Sequence, residues 1–227
     1  MDYADYWNDS WESREKKSYY HRLYQDVKQR LVIPPGSTVL DVGGGDGHLM
    51  HYLGIKEADV LDVSDSGLHV AASRGYRPLK ADLQKPFPVN EGSYDVAFCF
   101  EVLEHLHFPD VTVAETFKAL KPGGIFYVGQ PNMRADGIHH VRRFYKSDIV
   151  SLLEEKGFEI VWLDYVPGFI VREAIWNDIQ RTSSWLRKVK QTLALGLSLL
   201  PRKGLYFMAK LIPDRFCLLF VIKAIKK

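Results

Sequence analysis

The chain has 227 residues, more than one average domain and fewer than two, a length that buries a single sizeable core. Its 46% hydrophobic and 26% charged residues are those of a soluble globular protein, and a net charge of +2 names no partner. Cys99 and Cys217 stand far apart with no C-x-x-C spacing, which argues against a disulfide framework and a zinc site and leaves both thiols packed inside strands. The start, Met1-Asp2-Tyr3-Ala4-Asp5, lacks the basic and then apolar run of a secretory signal, so a reducing cytoplasm is expected.

Residues 3–30 are polar but rich in aromatics, and Tyr20, Leu23, Tyr24, Val27 and Leu31 recur at helical spacing, which predicts an amphipathic helix ended by Pro34-Pro35-Gly36. Val39 to Leu49 then reads as a strand, a glycine-dense acidic turn and a helix start. Gly43, Gly45 and Gly47 tolerate positive φ and carry no Cβ, so a ligand can lie almost on the backbone. A dinucleotide fingerprint fails here, because the sixth position is His48 counted from Gly43 and Met50 counted from Gly45. A phosphate-binding P-loop fails too, since Gly47-His48 stands where Gly-Lys is needed.

Ala58 to Ser64 predicts a second strand that delivers Asp62 about 20 residues beyond the glycine loop, where an acid can accept from ribose hydroxyls. Arg77 to Lys80 is a short third strand followed by Ala81-Asp82-Leu83. Ser93 to Phe100 is a near-continuous apolar run, as a strand buried on both faces of a parallel sheet should be. Glu101-Val102-Leu103-Glu104-His105-Leu106 leaves its carboxyl end, where ligands of open α/β sheets bind. Leu120 to Gly124 ends the next helix and feeds a fifth strand, Ile125 to Asn132; Phe144 to Gly157 predicts a helix with a glycine stop, and Phe158 to Leu163 a sixth strand.

The D-x-G-x-G-x-G run that begins at Asp41, the Asp62 strand end, Ala81-Asp82-Leu83, and Tyr94-Asp95-Val96 continuing to Glu-His-Leu and Leu-Lys-Pro-Gly-Gly follow one another in order. Together they resemble the motifs of class I S-adenosylmethionine-dependent methyltransferases over roughly residues 37–166, and most resemble the broad type 11 group that methylates small molecules, quinone precursors, lipids and sugars. Adenosylmethionine carries an ammonium and a sulfonium where a dinucleotide carries pyrophosphate, so an acid at the strand end becomes useful. The resemblance implies an α/β, three-layer Rossmann-like fold with a mainly parallel seven-stranded sheet and an antiparallel last strand. It also implies that Asp41, Gly43, Gly45, Gly47, Asp62, Val63, Asp82, Leu83, Phe100 and Tyr20 contact the cofactor. Asp62 would take the ribose, Asp82 and Leu83 the adenine, and Tyr20, with Tyr6, Trp7 and Tyr19, would belong to an N-terminal lid or to ordinary core packing. Gly44 departs from the cysteine common in that group; being small, it predicts no functional loss.

The expected organisation is one domain over residues 1–227: a helical lid (1–36), a core (37–166 and 214–227) and a helical insertion (167–213) inside the last hairpin, which Phe216 to Ile222 closes by pairing with the sixth strand. In the insertion, apolar residues from Trp176 to Leu200 recur at helical spacing beside Arg181, Arg187, Lys188, Lys190, Arg202, Lys203 and Lys210. The run is too short to span a bilayer. Residues 172–212 therefore suit either peripheral contact with the inner membrane surface or a wall of the acceptor pocket or a homodimer interface with a solvated basic face.

Methyl transfer is an in-line displacement that mainly needs near-attack geometry, but a hydroxyl acceptor must also lose a proton to a base or to a cation-bound state. Glu101, Glu104 and His105 stand at i, i+3 and i+4, which on one helical turn puts them on one face. The Glu-x-x-Glu-His spacing resembles the metal site of quinone-biosynthetic and small-RNA terminal-ribose O-methyltransferases, which implies Mg2+ held by Glu101, Glu104, His105 and His139, with His140 the alternative, and His105 and Glu101 as catalytic groups. In other methyltransferases the same side chains only cap and pack. Arg134, Arg142, Arg143 and Lys146 are a thin basis for a nucleic-acid partner. The expected function is O-methylation of a small-molecule, glycan or lipid-linked acceptor. The alternatives are a non-catalytic adenosylmethionine-binding subunit that docks a partner enzyme through its tail and, last, a nicotinamide dehydrogenase.

Overall fold

The computed structural model describes residues 24–25, 27–132, 140–167, 204, 207, 211 and 217–227. Tyr20 and the other lid aromatics, His139, and nearly all of 172–212 lie outside the described residues. Seven strands form one sheet: β1 (Val39–Val42), β2 (Asp59–Asp62), β3 (Arg77–Lys80), β4 (Tyr94–Phe100), β5 (Leu120–Pro131), β6 (Phe158–Pro167) and β7 (Cys217–Lys226). Their order is β3-β2-β1-β4-β5-β7-β6. All pairs from β3 to β5 are parallel, whereas β7 runs antiparallel to both β5 and β6. The helices α1 (His48–Leu53), α2 (Asp65–Ser73), α3 (Pro109–Ala119) and α4 (Lys146–Glu155) follow β1, β2, β4 and β5 in chain order.

The class expected from the motifs is therefore the observed one, with two differences in detail. The last strand runs on to Lys226, past the expected Ile222, and lies between β5 and β6, where Ile222 pairs with Val128 and Leu163 and Ala224 with Phe126 and Ile160, all apolar. The segment after β4 is a single 3-10 turn over Leu103–His105 and not an α-helical turn, and Glu101 lies outside it at φ 58. Glu101, Glu104 and His105 therefore do not share a helix face as their spacing suggests.

The core lies on both sides of the sheet, as period-2 alternation of a central parallel strand requires. On β5, Phe126 and Val128 join a cluster with Phe144, Ile149 and Leu153 of the α4 region, while Tyr127 faces the opposite cluster with Phe98 and Phe100. Residues 24, 25, 27 and 28 are helical, and the predicted periodicity holds in packing: Tyr24, Val27 and Leu31 are buried against Leu49 and Met50 of α1. The Tyr127 hydroxyl donates to the Val32 carbonyl at 2.9 Å and accepts from the Val32 amide at 3.1 Å, which ties the N-terminal segment to the central sheet. Among the described residues no helix is long and apolar enough to cross a membrane.

Candidate active site

The strand order reverses direction between β1 and β4, and the carboxyl ends of those strands carry the candidate residues, as the switch point of an open α/β sheet should. The loop after β1 bends through three positive-φ glycines, Gly43 (φ 72), Gly45 (φ 55) and Gly47 (φ 69). At Gly43 a Cβ would lie 2.5 Å from a Val102 methyl, and at Gly47 2.6 Å from the Tyr76 ring, so both backbone conformation and space demand glycine. Gly44 is constrained in another way: a Cβ there would lie 2.3 Å from Asp41 Oδ2, so a side chain at 44 and the present Asp41 rotamer exclude each other.

Asp62 clamps this loop. Its Oδ2 accepts from the Gly45 amide at 2.9 Å and its Oδ1 from the Ser64 amide at 2.8 Å, with Val63 half-buried between them. Each carboxylate oxygen has a second lone pair, so these bonds orient the group without using up its acceptor capacity. Asp41 is buried, and its Oδ2 has no hydrogen-bond partner among the described residues. Burial, then the neighbouring Asp62 and Asp46 carboxylates, push its pKa up to about 8.

Across the rim, the Asp82 Oδ1 accepts from the Gln84 amide at 3.0 Å and the Leu83 carbonyl accepts from the Thr112 hydroxyl at 2.9 Å. Gln84 Oε1 in turn accepts from the amides of His107 and Phe108, so the 82–84 segment and the segment after β4 are bound into one edge. Phe100 is buried at the end of β4, and the next residue, Glu101, is the one non-glycine residue at positive φ among those described. That conformation costs an L-residue about 1–2 kcal/mol. A Glu101→Gly variant is therefore expected to gain about 1 kcal/mol in urea-denaturation stability, net of glycine's extra chain entropy, while losing the side chain the site presents. Equal or lower stability would show that no strain is stored at 101.

Beyond Glu101, Glu104 is 2% exposed. Its backbone carbonyl accepts from the amides of Val141 at 2.9 Å and Arg142 at 3.2 Å, which brings His140 back over the 3-10 turn. Glu104 Oε1 stands 3.7 Å from His105 Nε2 and 3.9 Å from His140 Nε2, and the two imidazoles meet edge to face at 4.9 Å between centroids. Burial, then the Glu101 charge, hold the Glu104 carboxyl well above its usual pKa. A carboxylate oxygen buried without a hydrogen bond beside two imidazoles suits a cation or a proton donor. Glu104, His105 and His140 offer donor atoms within 4.8 Å of one another. Ligands at about 2.0–2.2 Å from a shared ion lie at most about 4.4 Å apart, so a shift of a few tenths of an ångström completes the fit. Glu101 is not part of this cluster; His140, the alternative to His139, is, and His139 itself lies outside the described residues.

Two residues of the site escape motif reading. Gln130 ends the apolar face of β5 and donates to Glu104 Oε2 at 3.2 Å; a polar residue closing a run of core residues was the available signal. Arg74, at the end of α2, donates through Nη1 to the Asp46 carbonyl at 2.7 Å and to Asp46 Oδ2 at 2.9 Å, and nothing in its local sequence points across 28 residues to the glycine loop. A cleft of about 1000 Å³ opens at the amino ends of the strands, lined by Ser37, Lys56, Asp59, Arg77 and Tyr94, and none of the candidate residues lines it.

The sequence family described as a methyltransferase domain matches residues 16–163, and the chain belongs to it. With the seven-stranded sheet and its antiparallel last strand, this places the chain in the class I S-adenosylmethionine-dependent methyltransferase family. It is 30% identical over 158 residues, 64% of this chain and 61% of the relative, to a probable S-adenosylmethionine-dependent methyltransferase of Mycolicibacterium smegmatis. It is 33% identical over 107 residues, 43% of this chain and 45% of the relative, to a ubiquinone biosynthesis O-methyltransferase of Marinobacter nauticus. The chain thus spans less than two thirds of the length of either relative. Its fold matches a methyltransferase solved in complex with the Haloferax volcanii Trm112 methyltransferase activator, with a TM-score of 0.69, 16% identity, and 99% and 98% of the two chains covered. It also matches the Burkholderia thailandensis 1,6-didemethyltoxoflavin-N1-methyltransferase, with a TM-score of 0.61, 17% identity, and 100% and 86% covered.

Proposed function

We propose that this methyltransferase O-methylates a small-molecule, glycan or lipid-linked acceptor at the edge formed by Glu101, Glu104, His105 and His140, and that a divalent cation is held by the last three, Mg2+ by the resemblance to the quinone-biosynthetic enzymes, although two imidazoles suit a transition metal better. The observation that carries the reading is the buried Glu104 oxygen facing two imidazoles at 3.7 and 3.9 Å, beside the carboxyl ends of β4 and β5. Asp62 and the Asp82–Leu83 segment, with the glycine loop and Phe100, form the cofactor side. When bound, adenosylmethionine supplies an electrophilic methyl on a cationic sulfur. The chain's own groups hold the acceptor hydroxyl in line with that methyl, and its proton goes to the half-buried His105 where no cation occupies the cluster. A bound cation would lower the hydroxyl's pKa and keep Glu104 ionised.

The ubiquinone-type relative supports oxygen as the nucleophile. Phe207 and Leu211, exposed and one helical turn apart, support an apolar wall or lipid-facing surface in the 167–213 insertion between the sixth and seventh strands, of one domain that opens with a lid (1–36) and ends on the closing strand (214–227). Labelled methyl donor offered with a panel of hydroxylated acceptors, with and without a chelator, tests the reading. Glu104→Gln and His140→Ala are expected to lower turnover at least about 100-fold while adenosylmethionine affinity stays within about twofold. Cofactor binding with no transfer to any acceptor would favour the non-catalytic subunit instead.

A further inference from the structure

Gln130 breaks the local rule of its strand. Phe126 and Val128, on the same face of β5, are fully buried core residues, and the next residue on that face is an amide that is 1% exposed. Its backbone is already in register with Phe220 of β7, so only the side chain remains to be explained. That side chain makes one hydrogen bond, from Nε2 to Glu104 Oε2 at 3.2 Å, and its Oε1 is buried with no hydrogen-bond partner among the described residues. Gln130, Glu104 and His140 line one small polar cavity with Asn132.

We infer that Gln130 is a positioning residue: its amide holds one oxygen of Glu104 so that the other faces His105 and His140. This rests on the cation reading above for its consequence, not for its geometry. A carboxylate on a free rotor spreads its two oxygens over several orientations, whereas one fixed by a donor on Oε2 presents Oε1 in a single direction. Outer partners of this kind set ligand orientation in metal sites, and their loss costs about 10–100-fold in metal affinity. The near-isosteric Gln130→Met removes the donor and leaves an apolar side chain suited to its Phe126 and Val128 surroundings.

The test is calorimetric titration of the full chain with Mn2+, for wild type and Gln130→Met, together with a crystal structure of the variant and its adenosylmethionine affinity as a control on folding. The expected result is a Mn2+ affinity about 10–100-fold weaker in the variant with cofactor affinity within about twofold. Equal Mn2+ affinity in the two proteins overturns the inference. If wild type binds no Mn2+, the cation reading fails by itself, and the crystal structure decides the role of Gln130. Glu104 Oε1 still within 4 Å of both imidazoles in Gln130→Met would overturn it, and a carboxylate turned away from them would support it.

Discussion

Replacing Arg74 with Met is expected to destabilise the folded chain by about 3 kcal/mol and to weaken adenosylmethionine binding along with it. The Arg74 and Asp46 side chains are only 12% and 4% exposed, and the guanidinium donates to both the carbonyl and the carboxylate of Asp46, inside the glycine loop. Met preserves most of the stem's packing but leaves a buried carboxylate whose remaining bond is the one from the His48 amide at 3.1 Å. Breaking one side of a buried pair costs more than the pair is worth, because the survivor stays desolvated. The double variant Arg74→Met with Asp46→Asn should therefore recover most of the loss in urea denaturation. A single variant within 1 kcal/mol of wild type would mean that the pair is hydrated in solution.

The second large effect is a pH dependence. Burial and two neighbouring carboxylates raise Asp41 to about 8 in the folded chain, against 3.8 as its ordinary value. Between those values the folded state holds a proton that the unfolded state has lost, so stability falls as pH rises from about 4 through 8 and levels beyond. Each unit of raised pKa corresponds to about 1.4 kcal/mol. Asp41→Asn keeps the shape of the neutral acid and cannot titrate. Its stability advantage over wild type should be near zero at pH 4 and grow to several kcal/mol at pH 8, measured by denaturant unfolding at a series of pH values. Parallel curves for the two proteins would place the charge of Asp41 in water. The same burial explains why Gly44 matters: with no Cβ at 44, the Asp41 carboxylate occupies the space 2.3 Å from where one would be, so Gly44→Cys should alter this pH profile.

The parts of the molecule legible in the sequence are those set by local chemistry. Gly43 and Gly47 announce the loop because no other residue fits its φ and its contacts, and the apolar run ending at Phe100 announces a central parallel strand because both its faces are buried. Asp62 was placed correctly at the end of β2, but its bond to the Gly45 amide, which makes it a clamp for the loop, comes from two strand ends meeting in space. Spacing misled at Glu101: i, i+3, i+4 describes a helical face only if the backbone is α-helical there, and the chain instead turns through positive φ into a 3-10 turn. Pattern offered His139 and, as its alternative, His140; what brings His140 to Glu104 is the pair of bonds from the amides of Val141 and Arg142 to the Glu104 carbonyl, which no local spacing announces. Arg74 leaves no sequence signal because its partner is tertiary, and Gln130 leaves only a polar residue closing an apolar run.

The central claim is that the carboxyl ends of β1 and β2, with the Asp82–Leu83 segment, hold the cofactor. A crystal structure of the full chain with S-adenosylhomocysteine tests it most directly. The account predicts the ribose hydroxyls on Asp62, the adenine edge against Asp82 and the Leu83 amide, and the homocysteine chain lying along Gly43 to Gly45 toward Glu101. A ligand seated in the cleft at the amino ends of the strands, among Lys56, Asp59, Arg77 and Tyr94, would contradict it.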